Sequence, residues 1–502
     1  MTIALSPSAS LSIGTQAFLN RPKRLFIGGE WVESRSGEMI PVLNPATEQV
    51  IAQVQAANAD DVDLAVAAAR RAFEGEAWSR MRPVDRERLL LRLADLLEAN
   101  ADEFAQLEAL DNGKSVTLAR QIDVALAIDF LRYVAGWATK IEGSVLPVSV
   151  PFNRERDFFA YTNRHPIGVV GQIIPWNFPL MMACWKIGPV LATGCTTILK
   201  PAEQTPLSAL RLAELVQEAG YPAGVVNVIT GYGNPAGAAL AAHPGVDKVA
   251  FTGSTRTGKL LIDAARGNLK RLTLELGGKS PAIILPDADL DLAIPGAAMA
   301  IFFNNGQVCA AGSRLYVHRS IFDRVMAGVA DVARSLKVGN GLEPDTILGP
   351  VVSQQQKDTV CGYLRAGLEA GAEALVGGKA MDRPGYFVEP TVFVNTSSDM
   401  SIVREEIFGP VVCAQPFDEV DQVIAAANDS PFGLAASLWT RDLAHTHRLA
   451  SRLKAGTVWI NCHTVVDAAM PFGGFKQSGW GRELGRAAID SYTEEQSVCA
   501  ML

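Results

Sequence analysis

No part of this 502-residue chain concentrates positive charge: 45 Lys+Arg stand against 53 Asp+Glu, evenly spread, for a net charge of −8. Without a basic face nothing neutralises a phosphate backbone, so no nucleic-acid partner is expected. Long apolar runs are missing too. The nearest approach, residues 167–185, is uncharged but broken by Gln172, Pro175, Asn177 and Pro179, and unpaired polar groups are costly in lipid. It reads as buried strand, turn and helix, with no membrane partner. Cysteine is sparse, 7 residues, an odd number without C-x-x-C spacing. Neither a disulfide framework nor a zinc cluster follows from that pattern, so no metal is expected and reduced thiols in a cytoplasmic location are implied. The first 20 residues contain no Lys or Arg, the charges that open a secretory signal and fill a transit peptide. Residues 1–20 are expected to form a flexible N-terminal arm.

What is present is ordinary globular material, 48% hydrophobic and 20% charged, long enough for two or three domains at about 150 residues each. Val62, Ala65, Val66, Ala69 and Phe73 recur at helical spacing, and Pro83 opens a second helix carrying Leu89, Leu90, Leu93, Leu96 and Leu97. A third helix is predicted over 117–140. Extended pieces at 145–150 and 157–163, separated by Pro151 and Asn153, suit a β-hairpin arm of the kind that serves assembly. Strand-like runs at 168–174, 196–200, 225–229 and 248–251 then alternate with helical runs at 180–192 and 206–219. Their nearly continuous apolar character fits a parallel sheet covered by helices on both faces, with ligands expected at the carboxyl ends of the strands. A second alternation begins at 281–285 and continues through helices near 288–304, 320–336, 353–370 and 421–428, implying a second α/β domain.

Several segments carry chemistry, each beside a plainer alternative. Cys309 in Phe303-Asn304-Asn305-Gly306-Gln307-Val308-Cys309 and Glu275 in Leu274-Glu275-Leu276-Gly277-Gly278-Lys279 read as nucleophile and base for covalent catalysis on a carbonyl, or as a buried thiol and a salt-bridged strand end. In Pro175-Trp176-Asn177-Phe178-Pro179 the Asn177 amide is either an oxyanion donor or a helix cap. The turn Gly253-Ser254-Thr255-Arg256-Thr257-Gly258 follows a strand and opens a helix, which suits a pyrophosphate or a simple Ser/Thr cap. Lys200 and Glu203 end another strand; a carboxylate there accepts from a ribose 2′-hydroxyl and repels a 2′-phosphate, favouring NAD over NADP, while surface charges are the alternative. Glu405-Glu406-Ile407-Phe408-Gly409-Pro410 offers a carboxylate and a ring, or an unremarkable loop.

Taken in order, these segments and Pro471 to Gly481 resemble the aldehyde dehydrogenase superfamily over nearly the whole chain from Leu25 onward. The resemblance implies a Rossmann-like NAD-binding domain (21–142 and 166–276), an α/β catalytic domain (277–478) and a small β oligomerisation arm (143–165 and 479–502), in a homotetramer or homodimer. It further implies Cys309 as nucleophile, Glu275 as general base and Asn177 as oxyanion donor. Cofactor contacts are implied for Ile174, Trp176, Lys200, Glu203, Gly253 and Ser254, and for Gly258, Leu276, Gln356, Glu406 and Phe408. Trp459-Ile460-Asn461-Cys462-His463-Thr464 and Met181-Met182-Ala183-Cys184-Trp185 are similar to bacterial phenylacetaldehyde dehydrogenases. By that likeness Phe178, Met182, Trp185, Phe303, Thr464, Val466 and Phe472 line an apolar substrate tunnel. The expected activity is NAD-dependent oxidation of a hydrophobic, aromatic aldehyde. The rivals are a CoA-acylating semialdehyde dehydrogenase, a cysteine hydrolase without redox chemistry and a noncatalytic binding protein on the same fold.

Overall fold

The computed structural model describes residues 11–502. Two parallel sheets dominate it. The first runs in the order Glu30–Val32, Leu25–Ile27, Val226–Val228, Thr196–Lys200, Val169–Ile173, Lys248–Thr252, Arg271–Glu275, Gly479–Trp480. Its five central strands are parallel, and the flanking pieces at both ends are antiparallel. Val169–Ile173 comes first in the chain among the central five; the chain moves outward to one side of it, then returns to add Lys248–Thr252 on the other. That reversal opens a crevice at the carboxyl ends of these two strands, where open α/β sheets hold ligands.

The second sheet has the order Glu373–Val376, Thr391–Val394, Val411–Phe417, Arg314–His318, Pro281–Ile284, Ala435–Trp439, Thr457–Ile460, parallel except at its first edge. Its strand Pro281–Ile284 is wholly buried, as a central parallel strand with helices on both faces must be. A third, antiparallel sheet joins Val145–Leu146, Phe158–Pro166 and the C-terminal Thr493–Met501. The predicted helices from Asp60, from Pro83 and over 117–140 appear as Ala59–Glu74, Pro83–Ala99 and a run from Val116 to Ala135. Within that last run residues Ala119–Val124 are wound as a π-helix.

Two expectations need correcting. Residues 11–20 are not a loose arm: Ile13–Asn20 is a helix whose N-cap, Ser12, accepts from Thr15 N, and Phe18 is buried beneath it. Ser12 N and Thr15 Oγ1 also donate to Gln106 Oε1, at 2.9 and 2.6 Å. The Ser12 hydroxyl acts here as a helix cap; residues 1–10 lie outside the described part. Gly479–Trp480, assigned to the assembly arm, pairs with Leu274 and Glu275 and closes the edge of the first sheet. Gly479 is required there because a Cβ would fall 1.9 Å from the Leu274 carbonyl oxygen and its φ is +112°.

Candidate active site

A cavity of about 310 Å³ occupies the crevice between the two parallel sheets. Cys309, Glu275 and Asn177 all open onto it.

Cys309 is presented by a turn that ordinary backbone does not form. Helix Leu290–Phe302 stops, and Asn304, Asn305 and Gly306 follow with φ of +49°, +56° and +67°. Asparagine tolerates the left-handed region, and glycine is mandatory at 306, where a Cβ would lie 2.0 Å from the Gly409 carbonyl oxygen. The sequence pattern had run this helix to 304. Side-chain amides pin the turn: Asn305 Nδ2 donates to the Gly349 and Pro350 carbonyls, both at 2.9 Å, and Gln307 Oε1 accepts from Val352 N at 3.0 Å.

Asn177 does not cap the helix that follows, Pro179–Thr193; that position belongs to Phe178, with Pro179 supplying the helical φ of the first turn. Its Nδ2 donates instead to the Gln307 carbonyl at 2.9 Å, while Asn304 Nδ2 donates to the Asn177 carbonyl at 3.0 Å. The two loops thus hold each other, and an amide nitrogen with two hydrogens retains one after this bond. Behind the loop Lys114 Nζ donates to the same Asn177 carbonyl at 3.0 Å and is ion-paired with Asp123 and Glu108. Glu108 also accepts from Leu180 N at 3.0 Å. Burial raises the pKa of both carboxyls against the pull of the Lys114 ammonium.

Glu275 ends strand Arg271–Glu275 and is 4% exposed, with neither carboxyl oxygen hydrogen-bonded to protein. Burial raises its pKa to about 8, opposed by the Lys186 and Arg482 cations. Lys186 is held by the Glu483 carboxylate and by Thr252 Oγ1 at 2.8 Å, and burial lowers its pKa to about 7. The Cys309 thiol is pushed up to about 12, first by burial and then by the nearby Glu406 and Glu275 carboxyls. At neutral pH the sulfur of the cofactor-free enzyme is therefore protonated, and its proton must leave as it attacks. Glu275, titrating close to neutrality with both oxygens free, has the character a general base needs.

Toward the cofactor side, Trp176, Gly253, Ser254, Leu276, Gln356 and Glu406 line the same cavity, as does Phe408. Ser254 is the N-cap of helix Thr255–Ala265, accepting from Thr257 N at 3.2 Å, so the plainer reading of that hydroxyl holds. The turn still points a helix N-terminus at the crevice, the favourable end for an anion. Glu406 Oε1 accepts from Gly278 N at 3.0 Å, and burial raises its pKa to about 7. Phe408 has φ +55°, stabilised by Gln356 Nε2 donating to its carbonyl at 2.8 Å, and its ring meets Trp176 edge-on at 5.2 Å. Ile174, Lys200, Glu203 and Gly258 do not line this cavity. Lys200 sits at the adjacent strand end, donating to the Pro201 carbonyl at 2.9 Å and 3.9 Å from Glu203 Oε2, with its pKa lowered to about 8 by burial. Ile174 N bonds the Lys200 carbonyl at 3.1 Å, and Gly258 packs where a Cβ would lie 2.8 Å from the Leu276 side chain.

Most of the rest of the lining is apolar. All seven expected substrate residues belong to it, with Phe178 stacked on Phe303 at 6.2 Å and Trp185 edge-on to Phe472 at 6.1 Å. Ile122, Leu126, Met181 and Trp459 join them, and the charged groups on the lining are Glu275, Glu406 and Glu483, without a Lys or Arg. Ile122 and Leu126 were missed because the π-helical turn shifts which face of an otherwise regular helix looks inward. Glu483 and Lys186 had no signal beyond being charged residues in apolar surroundings.

The donors, the open helix terminus and the apolar recess fit a dinucleotide lying beside a bound carbonyl compound. Comparison with known proteins agrees. The sequence profile of the aldehyde dehydrogenase family matches residues 31–498. DhaS of Bacillus subtilis, provisionally named an aldehyde dehydrogenase, is 54% identical over 96% of both chains. The phenylacetaldehyde dehydrogenase of Pseudomonas fluorescens is 51% identical over 96% of both. The NAD+ complex of Bacillus cereus aldehyde dehydrogenase superposes with a TM-score of 0.96 at 50% identity, covering 98% of this chain and 99% of that one. The chain belongs to the aldehyde dehydrogenase family. It is an oxidoreductase that takes NAD as cofactor and an aldehyde as substrate. No helix among the described residues is long and apolar enough to cross a membrane, and none of their side chains form a metal-binding cluster.

Proposed function

We propose that this enzyme oxidises hydrophobic, aromatic aldehydes of the phenylacetaldehyde type to carboxylic acids, with Cys309 as nucleophile, Glu275 as base and Asn177 as oxyanion donor. The supporting observation is one cavity lined both by those three residues and by a large aromatic and aliphatic set, with no Lys or Arg on its lining. An anionic semialdehyde would bring a carboxylate into a recess lacking any Lys or Arg to meet it, an uncompensated burial of charge. The Pseudomonas fluorescens relative, named for phenylacetaldehyde, points the same way.

The chemistry follows from the groups on the lining. The Cys309 thiol gives its proton up to solvent water as the sulfur bonds to the carbonyl carbon, which leaves the Glu275 carboxylate free for the later step. The resulting thiohemiacetal oxygen is held by the second Asn177 amide hydrogen and the Cys309 backbone N–H, donors fixed in advance by their loops. Lys200 and Glu203, the Gly253–Gly258 turn and Glu406 would hold NAD, which when bound would supply the hydride acceptor. Loss of hydride leaves a thioester on Cys309. Glu275 then removes a proton from water, the water oxygen bonds to the acyl carbon, the carbon–sulfur bond breaks and the acid departs. Net consumption is one aldehyde, one water and one oxidised cofactor per acid formed.

Initial rates of NADH formation across phenylacetaldehyde, acetaldehyde and succinic semialdehyde test the substrate assignment. The highest kcat/KM is expected for the aromatic compound; preference for the anionic one contradicts it, and turnover that requires CoA favours the acylating rival. The antiparallel sheet of Val145–Leu146, Phe158–Pro166 and Thr493–Met501 is read as the assembly arm of a homotetramer or homodimer. Val145, Phe152, Met501 and Leu502, all exposed apolar residues on or beside it, support that reading. Light scattering checks it, and a monomeric mass contradicts it. Seven unpaired cysteines accord with a cytoplasmic location.

A further inference from the structure

His463 is a buried imidazole in the substrate-side loop, and both of its ring nitrogens are engaged. Nε2 lies 2.9 Å from the Ala310 carbonyl oxygen and Nδ1 lies 2.9 Å from Ser437 Oγ. A carbonyl only accepts, so Nε2 carries the hydrogen; Nδ1 of the neutral ring then accepts from the Ser437 hydroxyl. Burial keeps the ring neutral, lowering its pKa to about 4. Ser437 stands mid-strand in Ala435–Trp439, wholly buried, paired in register with Ala282 and Trp459. The imidazole therefore ties the residue following Cys309 to the centre of the second sheet.

The same ring also organises the substrate wall. Trp459 packs against it at 4.7 Å between centroids, and Trp459 Nε1 donates to the Val465 carbonyl at 2.8 Å. Between these contacts Thr464 is held at φ +56°, a strained conformation for a β-branched residue, with its hydroxyl on the His463 carbonyl at 2.7 Å. Trp459, Thr464 and Ala310 all face the cavity. Packing leaves little slack: a Cβ on Gly312 would lie 3.3 Å from His463 Cε1 and 3.0 Å from Ala300 Cβ.

We propose that His463 is a positioning residue for the thiol chemistry: by gripping the Ala310 carbonyl it fixes the Cys309 peptide segment relative to the wall that orients the aldehyde. This rests on Cys309 being the nucleophile. It touches no reacting atom. Its effect lies in the angle of approach, where a shift of about 1 Å costs on the order of a hundredfold in rate.

The test compares His463→Phe, His463→Gln and Ser437→Ala, measuring aldehyde kcat/KM, the NAD dissociation constant and the rate of Cys309 alkylation by iodoacetamide. His463→Phe keeps the ring volume but not the donor, and is expected to lower kcat/KM by about 10- to 100-fold and to slow alkylation, with NAD affinity unchanged. His463→Gln, whose amide reaches about as far as Nε2, should recover to within about threefold of the parent. A Phe variant within about twofold of the parent, or a Gln variant no better than Phe, overturns the proposal. A parallel loss of NAD affinity also overturns it, since that marks general disruption. Should His463→Phe not fold, Ser437→Ala decides: a loss of several-fold supports the tautomer-fixing role and an unchanged rate overturns it. Mapping of the inactivating label to a cysteine other than Cys309 overturns the nucleophile assignment along with the proposal, which separates the two failures.

Discussion

Replacing Glu275 with Gln separates two consequences of burying one carboxyl. Its pKa is raised by burial from 4.5 to about 8; at 1.36 kcal/mol per unit that difference is worth about 5 kcal/mol as a ceiling. Between those two values the folded chain holds a proton that the unfolded chain has released. Stability from this group is therefore complete below pH 4.5 and lost as pH climbs to about 8. Gln cannot ionise, so the variant should gain on the parent as pH rises from about 4.5 to about 8 and level off above that. Lys186, with its pKa lowered to about 7 chiefly by burial and raised by the Glu275 charge, has the opposite trend; without that charge the trend begins at lower pH in the variant, so it adds to the variant's gain. In catalysis the base is gone: a burst of one NADH per active site is expected, followed by steady-state turnover slower by on the order of 10²–10⁴. Stopped-flow absorbance and urea midpoints at two pH values measure both effects. Unimpaired steady-state turnover, or a stability difference that does not widen with pH, would refute the reasoning.

Four further outcomes follow from the geometry. Asn177→Ala should lower kcat by about 10²–10³, seen in steady-state rates, because one oxyanion donor is lost. Gly306→Ala should destabilise the fold by at least about 2 kcal/mol in chemical denaturation, since a left-handed φ is combined with a backbone clash. Alkylation of Cys309 in the cofactor-free enzyme should quicken steadily with pH without levelling near pH 9, because its thiol titrates at about 12. Lys114→Met leaves Glu108 and Asp123 buried without their cation, and a loss of about 3–5 kcal/mol is expected by thermal unfolding or denaturant titration.

Much of this architecture was readable from residue pattern because parallel strands and their covering helices obey strong rules. Strand Thr196–Lys200 and the helices from Asp60 and Pro83 were visible as apolar runs and periodicities. The chemistry-bearing residues were readable only as a set: Glu275 ends a strand of the first sheet while Cys309 sits in the turn leading into a strand of the second, and no spacing argument brings them to one cavity without the crevice between those sheets. The helix Ala101–Asp111 escaped notice because it buries Glu103, Glu108 and Asp111, charges that mask a core-facing pattern. Those carboxylates are buried for a reason that local sequence does not carry, since their partners are Lys114, Arg211 and the amides of Leu180 and Leu207. The same holds for His463, whose two bonds reach Ala310 and Ser437 across the chain. The edge strand Gly479–Trp480 was misassigned because two residues give no periodicity at all.

The most direct test of the account is to mix the Glu275→Gln variant with phenylacetaldehyde and NAD, quench within the burst, digest and locate the acyl mass by tandem spectrometry. A phenylacetyl increment on the peptide containing Cys309, at close to one per chain, is predicted. The same increment on Cys462 or another cysteine, or a burst of NADH with no acyl group retained on the protein, would contradict it.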